Sequence, residues 1–157
     1  MLRLLSLAAL LATLTPAAQA QDAAVLAEYW TNNGSLPPEY AWETEVTIRS
    51  DGELTLKHCK GYETEGPACK TRRAKVAPEA LARITAAAEA SGLAEKPARE
   101  TDTPMVGGGL SSGRVLLDGR EVALISQPAE ADAGRVAPVL AAIRAAIPPR
   151  FNRFLED

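Results

Sequence analysis

The chain has one histidine and two cysteines in 157 residues, and no apolar run reaches the ~20 residues that a membrane-spanning helix needs. Each shortage excludes something. A histidine-based catalytic centre would have to be built around His58 alone. Cys59 and Cys69 lack the Cys-x-x-Cys spacing of a redox pair, and with His58 they give too few ligands for an obvious metal site. Gly109-Leu110-Ser111-Ser112-Gly113 has Gly-x-Ser-x-Gly spacing, but the run leads into a predicted strand rather than into the helix that a serine hydrolase elbow needs. The glycine-rich run Gly107–Gly113 lacks the Gly-Lys-Ser/Thr of a phosphate loop, and Ser112 stands where a dinucleotide fingerprint needs glycine. There is no excess of positive charge either: the formal net charge is −3, which does not suit a nucleic-acid binder. No cofactor is expected.

What is present begins with the first twenty residues. Met1-Leu2-Arg3 supplies a positive charge, and Leu4–Leu14 is apolar apart from Ser6 and Thr13. Pro16 follows, then the small residues of Ala18-Gln19-Ala20. This is the anatomy of a secretory signal peptide, predicted over 1–20. No cysteine sits at the cleavage point to carry a lipid anchor. The mature chain is expected to begin at Gln21 and to work outside the cytoplasm, in the periplasm or the medium. Removing 20 of 157 residues leaves 137, enough for one domain with a real core. In an oxidising compartment the two cysteines have one possible pairing. A Cys59–Cys69 disulfide closing about ten residues is worth roughly 2–3 kcal/mol.

Patterning then divides the mature chain. Residues 21–40 read as a short helix over Ala23–Trp30 followed by a proline-rich loop. A single α+β domain is expected over 41–147, with a tail over 148–157 whose Phe151, Phe154 and Leu155 fold back on the body. Trp42, Thr44, Val46 and Ile48 alternate with Glu43, Glu45, Thr47 and Arg49, which predicts a half-buried strand. Leu54, Leu56 and His58 continue the pattern. A three-residue turn, Ser50-Asp51-Gly52 with Gly52 left-handed, sets Ile48 opposite Leu54, Val46 opposite Leu56 and Thr44 opposite His58. This register buries one face, whereas a two-residue turn would not. A third strand is expected after Cys69. Pro78–Glu89 reads as a helix with Gly92 as its terminator. Residues 94–113 read as a loop. A second hairpin turns at Asp118-Gly119, with Val122–Ile125 as a central strand. A last helix lies within Ala131–Ala146, starting or kinking at Pro138. The predicted fold is α+β: a small, mainly antiparallel sheet of four or five strands, built from two β-hairpins, each followed by a helix packed on one face, with one disulfide.

The chemistry-bearing candidates are few. His58, Ser111 and Ser112 have no partner evident in sequence. Glu43, Glu45, Glu63 and Glu65 read as solubilising carboxylates, without the dense Asp/Asn spacing of a calcium loop. Lys70, Arg72, Arg73 and Lys75 form the most charged cluster, suited to discouraging edge pairing or to meeting an acidic surface, a lipid head group or a polyanion. Glu63, Glu65, Lys70, Arg72, Arg73 and Leu110 are the candidate binding residues, on two segments, 60–68 and 105–113. The reading is a secreted or periplasmic non-catalytic binding module, such as an inhibitor or accessory protein of the envelope, with a secreted or envelope protein as partner. The alternative is a small envelope hydrolase whose site the sequence does not reveal. The order of elements itself carries no function.

Overall fold

The computed structural model describes residues 23–61, 68–105 and 107–156. The proposed signal peptide, and Glu63 and Glu65, lie outside the described residues. Six strands, β1 (Val25–Asn32), β2 (Trp42–Arg49), β3 (Glu53–Lys60), β4 (Ala68–Lys75), β5 (Leu110–Leu117) and β6 (Arg120–Leu124), form one sheet in the order β4-β3-β2-β1-β5-β6. Every pairing is antiparallel. Helix α1 (Pro78–Ser91) follows the first four strands, and α2 (Glu130–Ala146) follows the last two. A 3-10 segment, Pro149–Phe154, ends the fold.

The first hairpin has the register set by its patterning. Ile48 lies opposite Leu54, Val46 opposite Leu56 and Thr44 opposite His58. Gly52 takes φ +84°, which L side chains rarely adopt, and donates to the Arg49 carbonyl at 2.9 Å. Asp118 and Gly119 both take positive φ in the second hairpin, the combination that matches strand twist. Ala27, Tyr29, Val46, Ile48, Leu54 and Leu56 point to one face, where they bury against Ile84 and Ala88 of α1 and Val139 and Ile143 of α2. The other sheet face carries Glu28, Trp30, Glu45, Thr47, Lys57 and Arg114 and is solvated, as antiparallel sheets allow.

Several expectations are corrected. Ala23–Trp30 is not a helix; Val25–Asn32 is a strand at the centre of the sheet. Val25, Leu26, Tyr29 and Trp30 have helical spacing, but strand pairing on both sides overrides it. The sheet therefore has six strands rather than four or five. The Val122–Ile125 segment is an edge rather than a central strand. Its second apolar face came from Ala123, which is small and exposed, and from Ile125, which lies past the strand end. Leu110–Gly113 belongs to β5 rather than to a loop. Helix α2 starts at Glu130 and runs through Pro138. The proline deprives the Gly134 carbonyl of its intrahelical partner, and both residues are exposed, so water can take that carbonyl. The tail returns as expected: Phe151 and Leu155 join the core.

Pro138→Ala should raise the unfolding free energy by about 2 kcal/mol, the helix-interior penalty less the unfolded-chain entropy that proline removes. Urea unfolding measures it, and an unchanged or lower midpoint would contradict this account of α2. A chain beginning at Gly34 lacks β1 and should show no cooperative unfolding; a folded product would make β1 an appendage.

Candidate functional site

Strand register aligns five polar side chains in one row across the helix-covered face: Ser111, Thr31, Thr44, His58 and Lys70, one from each of β5, β1, β2, β3 and β4. Thr31 and Thr44 are buried. Hydrogen bonds account for them. Ser111 donates to Thr31 at 3.0 Å, which leaves its oxygen to accept from the Tyr29 hydroxyl at 2.9 Å. Thr44 donates to the Phe154 carbonyl at 2.5 Å and so ties the tail to the sheet. Its hydroxyl hydrogen is then used, so it accepts from His58 Nδ1–H at 2.8 Å. Neutral His58 therefore carries its proton on Nδ1.

His58 is half-buried, with its ring 5.8 Å from Trp42 and 5.2 Å from Phe154. Burial, and then the cations Lys60, Arg72 and Lys70, push its pKa below the ordinary histidine value, against an opposing bond to the Phe154 carbonyl. Arg72 and Arg153 rest on the Phe154 ring at 4.7 and 4.8 Å from its centroid.

The candidates from sequence are placed as follows. Lys70, Arg72, Arg73 and Lys75 lie on β4, a sheet edge, but alternation splits them. Lys70 and Arg72 share the side of His58, whereas Arg73 and Lys75 share the solvated side with Thr55 and Glu53. Leu110 is half-buried and helps line a surface cavity of about 290 Å³ with Asn32, Gly34, Met105 and Gly108. Ser111 is a structural hydroxyl. It stands three strand spacings from His58, about 14 Å, too far for a serine–histidine pair. Glu45 pairs with Lys57 at 3.7 Å on the solvated face. The Cys59–Cys69 disulfide is present and joins directly opposed residues of β3 and β4. Among the described residues no cluster of three or more histidine, cysteine or acidic side chains could hold a metal. No helix among them is long and apolar enough to cross a membrane.

Three connections meet at one end of the sheet. The β1–β2 loop and the segment before β5 touch, because Gly34 comes so close to the Gly108 carbonyl that a Cβ would sit 2.4 Å away. The described start of the β3–β4 connection, Gly61, donates to the Ala41 carbonyl at 2.9 Å. Tyr40 and Met105 stand out at this end, 68% and 76% exposed. Their backbones are clamped by amide side chains. Asn33 donates to the Tyr40 carbonyl and accepts from Trp42 N–H, each at 2.8 Å. Gln127 accepts from Met105 N–H at 2.6 Å and donates to its carbonyl at 3.2 Å. Sequence reasoning singled out neither residue; single amides, Asn33 within the loop it holds and Gln127 22 residues from Met105, leave no pattern.

The single histidine gives one imidazole Cε1–H signal, so its titration can be followed by NMR. Its midpoint should lie below 6.5, the ordinary value. The unfolded chain then binds a proton more readily than the folded one. His58's contribution to stability is complete above pH 6.5 and falls as pH drops from there to the folded midpoint. Urea unfolding between pH 7.5 and 5 should show a decline that His58→Gln reduces; an identical decline in the variant would rule this out.

No family model matches this chain, and no curated protein matches it.

Proposed function

We propose that the protein is an exported, non-catalytic binding module that recognises a secreted or envelope protein through the loop end of its sheet. The observation that carries this reading is the clamping of Tyr40 and Met105 on ordered backbone while their side chains face solvent. A large exposed apolar side chain gains nothing for a lone soluble domain, and isolated cases are common. Two of them, each held by a dedicated amide and set on loops that touch, are preorganised for contact. Tyrosine gives a rigid anchor at low entropy cost, and methionine adapts to an irregular partner. The cavity beside Met105 and Leu110 can receive a partner side chain. Export is supported by the leader pattern and by the disulfide, which suits an oxidising compartment. The distance between Ser111 and His58 weighs against the hydrolase alternative.

A photo-crosslinker placed at position 40 or 105 should capture one partner from the envelope or medium of the protein's own organism. The same probe at Arg83, exposed on α1, should not. Tyr40→Ala and Met105→Asp should each weaken that complex about tenfold or more with the thermal transition unchanged. Equal capture from all three positions, or full affinity in both variants, would end this reading.

A further inference from the structure

Among the described residues, four cations gather around His58 and the tail with no carboxylate paired to them. Lys70 is the cross-strand neighbour of His58, and Lys60 lies on the same side of β3, two residues along. Arg72 and Arg153 share the Phe154 ring. None of the ion pairs among the described residues takes Lys60, Lys70, Arg72 or Arg153. Of the two acids of the tail, Glu156 is bound to Arg144, and Asp157 lies outside the described residues. From β2, His58 meets Trp42 and Thr44, which are uncharged.

Like charges separate when nothing holds them, so the way these are held is informative. The Thr44 bond to the Phe154 carbonyl fixes the tail, and the aromatic ring fixes two guanidinium groups. Protection of a sheet edge explains lysine and arginine on β4. It does not explain an arginine of the C-terminal segment brought to the same ring.

We infer that this patch is a binding site for a phosphate group, free or esterified, held by Lys60, Lys70, Arg72 and Arg153 beside His58. A phosphate carries about −1.5 to −2 at neutral pH, which matches several clustered cations better than a single carboxylate does. Guanidinium forks donate paired hydrogen bonds to phosphate oxygens, and ammonium groups supply point charge. Protonated His58 adds a further positive charge, and a bound dianion favours that proton by offsetting the Lys60, Lys70 and Arg72 charges that oppose it. The site uses none of Tyr40, Met105 and Leu110, so it stands whether or not those residues bind a protein.

The test follows His58 Cε1–H in the disulfide-bonded protein during titration with inorganic phosphate, against sodium chloride and sodium acetate at equal ionic strength. Phosphate should raise the His58 midpoint by about one pH unit with saturation, and the other two salts should raise it far less. Lys70→Gln, which removes no ring contact, and Arg153→Gln should each weaken phosphate binding about fivefold or more, whereas Arg73→Gln, on the opposite face of β4, should not. Co-sedimentation with phosphatidylcholine vesicles, with and without phosphatidylglycerol, separates the sources. Phosphate binding alone assigns a free anion or soluble ester, and vesicle binding that Lys70→Gln abolishes assigns a lipid headgroup. Equal shifts in all three salts, or wild-type binding by both Lys70→Gln and Arg153→Gln, would overturn the site.

Discussion

Strand β1 donates both of its edges, to β2 on one side and β5 on the other. The two hairpins of this chain are local structures that need little loop closure. They share no hydrogen-bonded edge, and only β1 joins them. Its covered side carries Ala27, Tyr29 and Thr31, all buried, so the same strand supplies the middle of the core. Because β1 runs antiparallel to both neighbours, its exit, the start of β2, the end of β3 and the start of β5 fall at one end of the sheet. The meeting of the three connections is thus a consequence of where one strand inserts.

That same end poses a packing problem, which the polar row solves. The helices cover Val46, Ile48, Leu54 and Leu56, and beyond them the covered face turns to threonine, serine and histidine. A buried hydroxyl without a partner costs more than a made bond contributes. Tyr29, Ser111 and Thr31 satisfy one another within the sheet, and Thr44 reaches out to the tail carbonyl. The tail is consequently a structural lid over the row, and Phe151 and Leu155 anchor it in the core. It also delivers Arg153 and the Phe154 ring to His58 and Arg72. Closing the core and assembling the basic patch are one event.

The parts of the fold legible in sequence are those whose pattern and turn chemistry agree. Trp42 to His58 alternates cleanly around a glycine that must be left-handed, and its register followed residue by residue. Pro78 and Gly92 bracket α1. Strand β1 was illegible because its buried positions are Ala27, Tyr29 and Thr31, one small and one polar, while half-buried Val25, Leu26 and Trp30 mimic a helical stripe. With β1 misread, Thr31 and Ser111 had no place, and only the Thr44–His58 half of the row was visible. The basic run on β4 misled in the opposite sense. Four neighbours in sequence are two pairs in space, and the true companions of Lys70 and Arg72 lie on β3 and in the tail.

The exposed loop end is tied to the interior by a traceable chain of bonds. Asp132, in the first turn of α2 and 4% exposed, accepts from Arg99 N–H at 3.1 Å and from Arg135 at 2.8 Å, which together hold its carboxyl below the usual range. Arg135 in turn donates to the carbonyls of Ser91, Gly92 and Lys96, closing the C-terminus of α1 from a neighbouring helix. The Arg99 carbonyl accepts from Ala129, and Thr101 donates to the Gln127 carbonyl. Gln127 then clamps Met105. Each link is short and several are charge-assisted, so Met105 cannot shift far without loosening bonds that reach back to a buried carboxylate. A loop rich in glycine and proline is thereby held in one presentation, which is the condition under which an exposed methionine can serve as a specific contact.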